Sequence, residues 1–486
     1  MSSRSTRLWA LLTCVGSLAL AGCIPDLGLM PTEKPPSAYA TEKSFSAQQA
    51  DWPAAEWWAA YGDEQLNTLV AEGVANAPDL KIAEARLRQA DAAAQRSSAD
   101  LWPTLTGKGT VSETRASLNQ GFPQQFQSFL PHGWHDNGQV TGNLNYDLDL
   151  FGKNRAAFAA ATSDADAARI DVEAARLTLT SAIASAYANL VQLTADRIAA
   201  VDAINVRKQS EDLLRQRLAQ QLENTGTVSE AQSRTRAAEA DLDRIDGQIA
   251  LARNQLAALI GKGPDRGLDI PLPANPKIQS LGVPANLSAD LIGRRPDIVA
   301  ARLRASAAAN RIDVAHADFY PNINLTGYLG VQSLGLSTLL QPASEIGQIA
   351  PALSLPIFDH GRIEGAYRSA RAEYDESVAK YDQALTGALH EVADALANQR
   401  ELANELGHSR AALAASEDSY RVAQQRYGAG LSRYLDVLTS EDTLVVQRRT
   451  VADLQARAFT QDVALVRALG GGFHMTNTNV AQAAKE

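Results

Sequence analysis

The chain has 486 residues, with 45 Lys and Arg against 55 Asp and Glu, and carries a net charge of −10. An acidic balance with no basic stripe excludes nucleic acid as the main partner, because phosphate binding needs a basic face. Two cysteines are too few for a disulfide scaffold or a multi-thiolate metal site. No apolar run reaches the ~18 residues of a membrane-spanning helix, so this chain crosses a bilayer with strands or not at all.

Residues 1–22 hold Arg4, Arg7, no acid and then an apolar stretch, the layout of a secretory signal. The segment closes as Leu20-Ala21-Gly22-Cys23, which resembles the lipobox of bacterial lipoproteins. That likeness implies cleavage before Cys23 and covalent lipid on it, an S-diacylglycerol and an N-acyl chain. Ile24 stands where an aspartate would resemble an inner-membrane retention signal. Several acyl chains, at ~0.8 kcal/mol per buried CH₂, make a stable anchor. Residues 23–60, rich in proline, serine and aromatics, read as an extended segment tying that anchor to the level of the strands.

The remainder is duplicated. Pro78-Asp79, Arg86, Asp100 and Trp102-Pro103 recur as Pro296-Asp297, Arg304, Asp318 and Tyr320-Pro321, each 218 residues later. Phe151 and Arg155 match Phe358 and Arg362 at 207, and Arg217, Gln220-Gln221 and Gly226 match Arg421, Gln424-Gln425 and Gly430 at 204. The first copy therefore spans 61–261 and the second 288–470, with a linker at 262–287 and a fraying tail at 471–486. The extra length of the first copy falls in a loop between Pro103 and Phe151.

Each copy predicts a helix, a hairpin and two long helices. Residues 79–101 and 297–319 are rich in helix formers and stop at a residue preceding proline. Val140, Gly142, Leu144, Tyr146, Leu148 and Leu150 alternate with polar neighbours, which is a strand with one apolar face. Residues 323–331 and 349–357 alternate likewise, and 104–114 forms the weakest of four strands, so the hairpins cover about 104–150 and 322–357. Residues 156–220 and 362–425 lack proline and carry heptads such as Leu385, Leu389, Val392 and Leu396. After turns at Gly226 and Gly430 the helices return, with Val437, Leu444, Val451, Ala458 and Leu465 at seven-residue steps.

A four-stranded sheet with one apolar face has two unpaired edges, which a bilayer does not tolerate. It must close with other copies. Two chains give eight strands and a filled interior, whereas three give twelve and room for water. The competing reading is a lipid-anchored structural coiled coil bridging the outer membrane and the cell wall, with the alternating segments as ordinary sheet.

The lipobox, the duplicated plan and the motifs Arg294-Arg295-Pro296-Asp297, Phe319-Tyr320-Pro321-Asn322-Ile323, Leu355-Pro356-Ile357-Phe358-Asp359 and Gln425-Arg426-Tyr427-Gly428-Ala429-Gly430 resemble the outer-membrane efflux channel family that includes TolC and OprM, in its NodT-type lipoprotein branch. The resemblance covers about residues 50–470. It implies a mixed, mainly α fold: a homotrimer whose twelve-stranded transmembrane β-barrel lies in the outer membrane of a Gram-negative bacterium and continues into a twelve-helix periplasmic α-barrel. Its implied partners are outer-membrane lipid, a periplasmic adaptor and an inner-membrane transporter, commonly of the RND class.

Nothing in the sequence points to an enzyme or to a bound cofactor beyond the Cys23 lipid. The seven histidines are scattered, with no zincin, nucleophile-elbow or P-loop motif, and Gly107-Lys108-Gly109-Thr110 lacks the upstream glycine spacing of a phosphate loop. His132 and His135 lack the acidic or cysteine partners a metal would need. Trp102, Phe151, Tyr320 and Phe358 stand at repeat-related strand ends and read as a membrane-interface belt. By resemblance, the second helix turn, residues 427–442, is the periplasmic gate, with Tyr427 a hydrogen-bonding strut and Leu435 an apolar plug. Channels of this kind can carry an aspartate four residues after that leucine and an arginine seven after; Thr439 and Asp442 stand here, a departure from the family's gate ion pair. Asp436 and Asp442, in three copies, would form a carboxylate ring that favours cations.

Overall fold

The computed structural model describes residues 24–45, 51–115, 117, 123, 129, 132–273, 291 and 293–475. The expected signal segment, Cys23 and most of the expected linker and tail lie outside the described residues. In chain order the elements are α1 (Glu64–Asn76), α2 (Pro78–Ala99), β1 (Thr104–Thr114), β2 (His135–Asp147), α3 (Lys153–Ala219), α4 (Thr225–Leu259), α5 (Pro264–Leu268), α6 (Pro296–Ala317), β3 (Asn322–Leu334), β4 (Glu345–Ser354), α7 (Arg362–Gly428) and α8 (Tyr434–Ala468). Two compact units are built from them. One comprises Met1–Thr32, Arg88–Ala167 and Arg302–Ala379; the other comprises Glu33–Leu87, Ala168–Ala301 and Lys380–Glu486.

The first unit holds an antiparallel four-stranded sheet in the order β1-β2-β3-β4. Its register segregates the side chains completely. Leu105, Val111, Val140, Leu144, Leu325, Leu329, Val331, Ile349 and Leu353 fall on one face, and Thr106, Lys108, Thr141, Asn143, Asn145, Asn324, Thr326 and Gln348 on the other. The apolar face is bare: Leu105 is 77% exposed, Leu329 75% and Ile349 80%. No other sheet or helix covers those residues, the inverse of a water-soluble sheet. β1 and β4 present open edges.

β2 and β4 stop earlier than the alternation predicts. Leu148 and Leu150 lie past β2 because Asp149 adopts φ +44 and turns its carboxylate onto the start of α3, accepting from the Asn154 and Arg155 amides at 2.9 and 3.0 Å. β4 ends at Ser354, before Pro356, which has no amide to donate. In α7, Asp359 caps in the same way, accepting from Ile363 N at 2.9 Å and Gly361 N at 3.1 Å. Those backbone bonds hold its carboxyl below the usual range.

α3 and α7 each run 67 residues, ~100 Å at 1.5 Å per residue, and α4 and α8 each run 35. The paired helices start at Lys153 and Arg362, then at Thr225 and Tyr434, so one spacing of 209 carries through both helices and the turn between them. This corrects the 204-residue match. Gly226 lies inside the first turn of α4, and the left-handed residue matching Gly430 (φ +72) is Gln221 (φ +59). Sequence identity had aligned two Gln-Gln pairs that are not structurally equivalent.

The second unit carries the large cores. One gathers Trp57, Trp58, Tyr61, Leu66, Leu69, Ile183, Tyr187, Leu190, Leu256 and Phe459. Two buried tyrosines there serve as struts: Tyr61 donates to Asp462 Oδ2 at 2.6 Å and Tyr187 to Asp63 Oδ2 at 2.6 Å, while Asp63 also caps α1. Burial pushes both phenols well above their ordinary range. A second core packs Leu291, Ile298, Tyr381, Leu385, Val392, Leu396, Leu465 and Leu469. It contains the predicted heptad of α7 and the end of that of α8. Arg295, 7% exposed, ties it together: its guanidinium grips Asp297 bidentately at 3.0 and 2.7 Å and reaches Glu391 at 2.6 Å and the Ala468 carbonyl at 3.0 Å. The four charge-assisted bonds offset the cost of burying the cation.

Candidate functional site

The turn between α7 and α8 is built on the third core, formed by Leu214, Val228, Ala231, Tyr420, Tyr427, Tyr434, Val437, Leu438 and Leu444. The backbone closes by bonds from Gly430 N to Tyr427 O at 3.0 Å and from Leu431 N to Arg426 O at 2.8 Å, a Schellman closure that needs the left-handed conformation glycine adopts freely. Tyr427 is buried, donates its hydroxyl to Glu223 at 3.0 Å, and carries the Arg217 guanidinium over its ring at 4.5 Å. Burial, with the Glu223 bond and charge, pushes its phenol up to about 12. The strut expected at Tyr427 thus joins the two helix turns of one chain.

The other expected gate residues are placed differently from one another. Leu435 is 54% exposed on the first turn of α8. Asp436 accepts from the Arg433 amide at 3.2 Å and so caps the helix. Thr439 returns its hydroxyl to the Leu435 carbonyl at 2.9 Å. Asp442 is clamped by Arg234 of α4 at 2.7 Å and by Arg207 of α3 at 3.4 Å. Asp436 and Asp442 therefore have separate partners, and the charge of Asp442 is balanced within its own chain.

Sequence reasoning missed the group beside it. Glu441 is 2% exposed, with one oxygen 3.5 Å from Arg207 Nε and the other without a hydrogen-bond partner. Burial raises its carboxyl above the usual range against the pull of Arg207. Arg207 also donates to the Arg234 carbonyl at 3.1 Å, so α3, α4 and α8 meet at one charged knot. The only signal for it in the sequence is a charge at a buried heptad-flanking position, and its partners lie 27 and more than 200 residues away.

At the strand ends of the first unit, Phe151 stacks on Tyr320 at 4.7 Å, and Tyr320 meets His316 edge-on at 5.4 Å. Trp102 and Phe358 are 72% and 80% exposed. Two of the four expected interface aromatics thus pack on each other and two face outward. His135 donates to the His132 carbonyl at 2.9 Å, and no cluster of three metal-ligating residues occurs among the described residues. The N-terminal segment lies along α7. In the first unit Arg371 donates to the Gly28 and Leu29 carbonyls and Tyr374 to Pro31 O at 3.0 Å. In the second, the Lys34 amide donates to Asp382 at 3.1 Å and Arg400 to the Ser44 carbonyl at 3.3 Å.

Known proteins share this plan. The crystal structure of the outer membrane protein VceC from Vibrio cholerae superposes with a TM-score of 0.82 at 40% identity, covering 87% of this chain and 100% of VceC. The fusaric acid resistance protein FusA of Burkholderia cepacia is 36% identical over 377 residues, 75% of this chain and 69% of FusA. The cation efflux system protein CusC of Escherichia coli is 29% identical over 463 residues, 94% of this chain and 98% of CusC. The family profile described as outer membrane efflux protein matches residues 69–262 and 287–471, that is, both copies of the repeat, and the chain belongs to that family of outer-membrane efflux channels.

Proposed function

We infer that the protein is the trimeric, passive exit duct of a tripartite efflux system, receiving substrate from an inner-membrane pump, of the RND class, through a periplasmic adaptor. The observation that carries this reading is the sheet: four strands of 10–13 residues, long enough to span a bilayer at a tilt, with a bare apolar face, a polar face and two open edges. Three copies close it into twelve strands with lipid outside and water inside. A coiled-coil scaffold has no use for such a face.

Cys23 carries the lipid in this reading. Gly28 is held by Arg371, nine residues into α7, so the anchor five residues upstream sits within reach of the strand ends. Trp102 and Phe358 lie at the membrane interface, and the α7–α8 turn narrows the passage. Leu435, being half exposed in a single chain, acts as a plug only against its copies. The names of FusA and CusC refer to fusaric acid and to cations, and cargo selection in this reading belongs to the pump.

Single-channel recording in planar bilayers, with native mass measurement in detergent, tests the proposal. Stepwise conductance from a three-chain species is the expected result; a stable monomer or dimer, or a trimer that conducts nothing, overturns it. Leu435→Ala is expected to raise conductance while trimers form normally, and Cys23→Ser to abolish fatty-acid labelling with the fold intact.

A further inference from the structure

One charge on the polar face of the sheet is unused by the reading above. The ladder sets Lys108 of β1 opposite Thr141, Thr141 opposite Gly330 and Gly330 opposite Ile346, so no partner at its level carries charge. Its neighbours on the same face, Thr106, Thr110, Gln139 and Asn143, are neutral as well. Lys108 is exposed, and no ion pair joins it to a described residue. The carboxylates Glu113, Asp136 and Glu345 all stand on the opposite, apolar face at the far end of the sheet. On the polar face the described strands offer Asp147, six residues from Thr141 along β2, ~20 Å away at ~3.3 Å per residue and beyond two Debye lengths at physiological salt.

The sheet is also tightest at this level. A Cβ on the polar side of Gly330 would meet the Val140 carbonyl oxygen at 2.1 Å and Thr141 Cα at 2.7 Å, and Thr141 is 3% exposed where Val140, on the other face, is 50% exposed. The strands close toward the side from which Lys108 projects.

We propose that Lys108 sets the charge preference of the strand-lined passage, favouring anionic permeants over cations of similar size. This rests on the trimeric closed sheet of the preceding section. Twelve strands ~4.8 Å apart and tilted about 40° close at a radius of ~12 Å, so three extended lysines bring their ammonium groups within about one Debye length of the axis. Charges at that range enrich anions over cations roughly twofold at about 0.15 M salt and several-fold at about 0.01 M.

The test compares the full-length protein with Lys108→Gln and Lys108→Glu in planar bilayers across a potassium chloride gradient. The chloride-to-potassium permeability ratio is expected to fall about twofold in Lys108→Gln at about 0.15 M salt, more in dilute salt, and to invert in Lys108→Glu. Equal ratios in three conducting proteins overturn the inference and leave the channel reading standing; a wild-type trimer that does not conduct overturns both. A second measurement works even where the helix turns hold the passage shut. Thr110→Cys, two residues along the same face, is labelled from outside intact cells with small anionic or cationic thiosulfonates. The anionic reagent is expected to react several-fold faster beside Lys108 than in the Lys108→Gln background, and the cationic reagent slower. Equal rates, or a thiol closed to both reagents, overturn the inference.

Discussion

The two helix turns of the repeat have the same backbone and different chemistry. Gln221 N bonds to Leu218 O and Leu222 N to Arg217 O, and 209 residues later Gly430 N bonds to Tyr427 O and Leu431 N to Arg426 O. Yet the first turn puts a glutamine where the second has glycine, and caps its helix with Asn224, which accepts from Thr227 N at 3.0 Å; the second uses Asp436 from within the helix. Around them, Leu218, Gln232 and Ser233 occupy the places of Tyr427, Glu441 and Asp442. Duplication conserved the closure of the turn while the polar groups diverged, so function divides unequally between copies: the first supplies arginines and the second supplies acids and tyrosines.

The largest expected effect comes from breaking that division. Arg207→Ala leaves Glu441 buried without its counter-charge, a loss of about 3 kcal/mol that thermal unfolding in detergent would read. Combining it with Glu441→Gln is expected to recover most of the loss, and a double variant as unstable as the single one would show that Arg207 acts through packing instead.

Next is the pH response. Glu441 faces Arg207, Arg234, Asp442, Tyr420 and Tyr434, and its carboxyl binds a proton more tightly in the folded chain than in the unfolded one. Between the ordinary carboxylate value of about 4.3 and its raised one, the folded state holds more protons, so stability rises as pH falls through that interval. Glu441→Gln removes this dependence. A wild type and variant whose melting temperatures shift in parallel from pH 7 to pH 5 would contradict the assignment.

The backbone comparison can be sharpened by exchange. Gly430→Ala places a Cβ at φ +72 and is expected to cost about 1 kcal/mol, whereas Gln221→Gly relieves the same strain and stabilises by less, because glycine loosens the unfolded chain. Smallest and most local, Asn224→Ala is expected to cost about 1 kcal/mol or less through the lost cap, with no matching loss at Arg433, whose side chain cannot accept a hydrogen bond.

Most of the fold was legible because its elements announce themselves locally. Alternation marked the strands, proline-free heptads marked the long helices, and Trp102-Pro103 and Tyr320-Pro321 marked where α2 and α6 end. The turn register was not, since identity between Gln220-Gln221 and Gln424-Gln425 is chance resemblance on an exposed face, whereas the left-handed position is fixed by hydrogen bonds that glutamine also permits. At the site, Tyr427 and Asp442 were found, but their partners Glu223, Arg207 and Arg234 were not. Such pairs form between helices far apart in sequence, and no spacing rule along one helix encodes them.

The order of the sheet has a consequence for how the molecule comes into being. β1 with β2, and β3 with β4, are hairpins whose strands are separated by short connections, so each forms from neighbouring sequence. The central pairing of β2 with β3 joins Asp147 to Asn324 across both long helices of the first copy. Contacts of such long range carry a high loop-closure cost and form late. Each hairpin is therefore made early and held waiting, with one apolar flank unprotected, until the first helix pair has folded back and the second copy has been delivered. Escort of that exposed intermediate to the membrane is a requirement built into the topology itself.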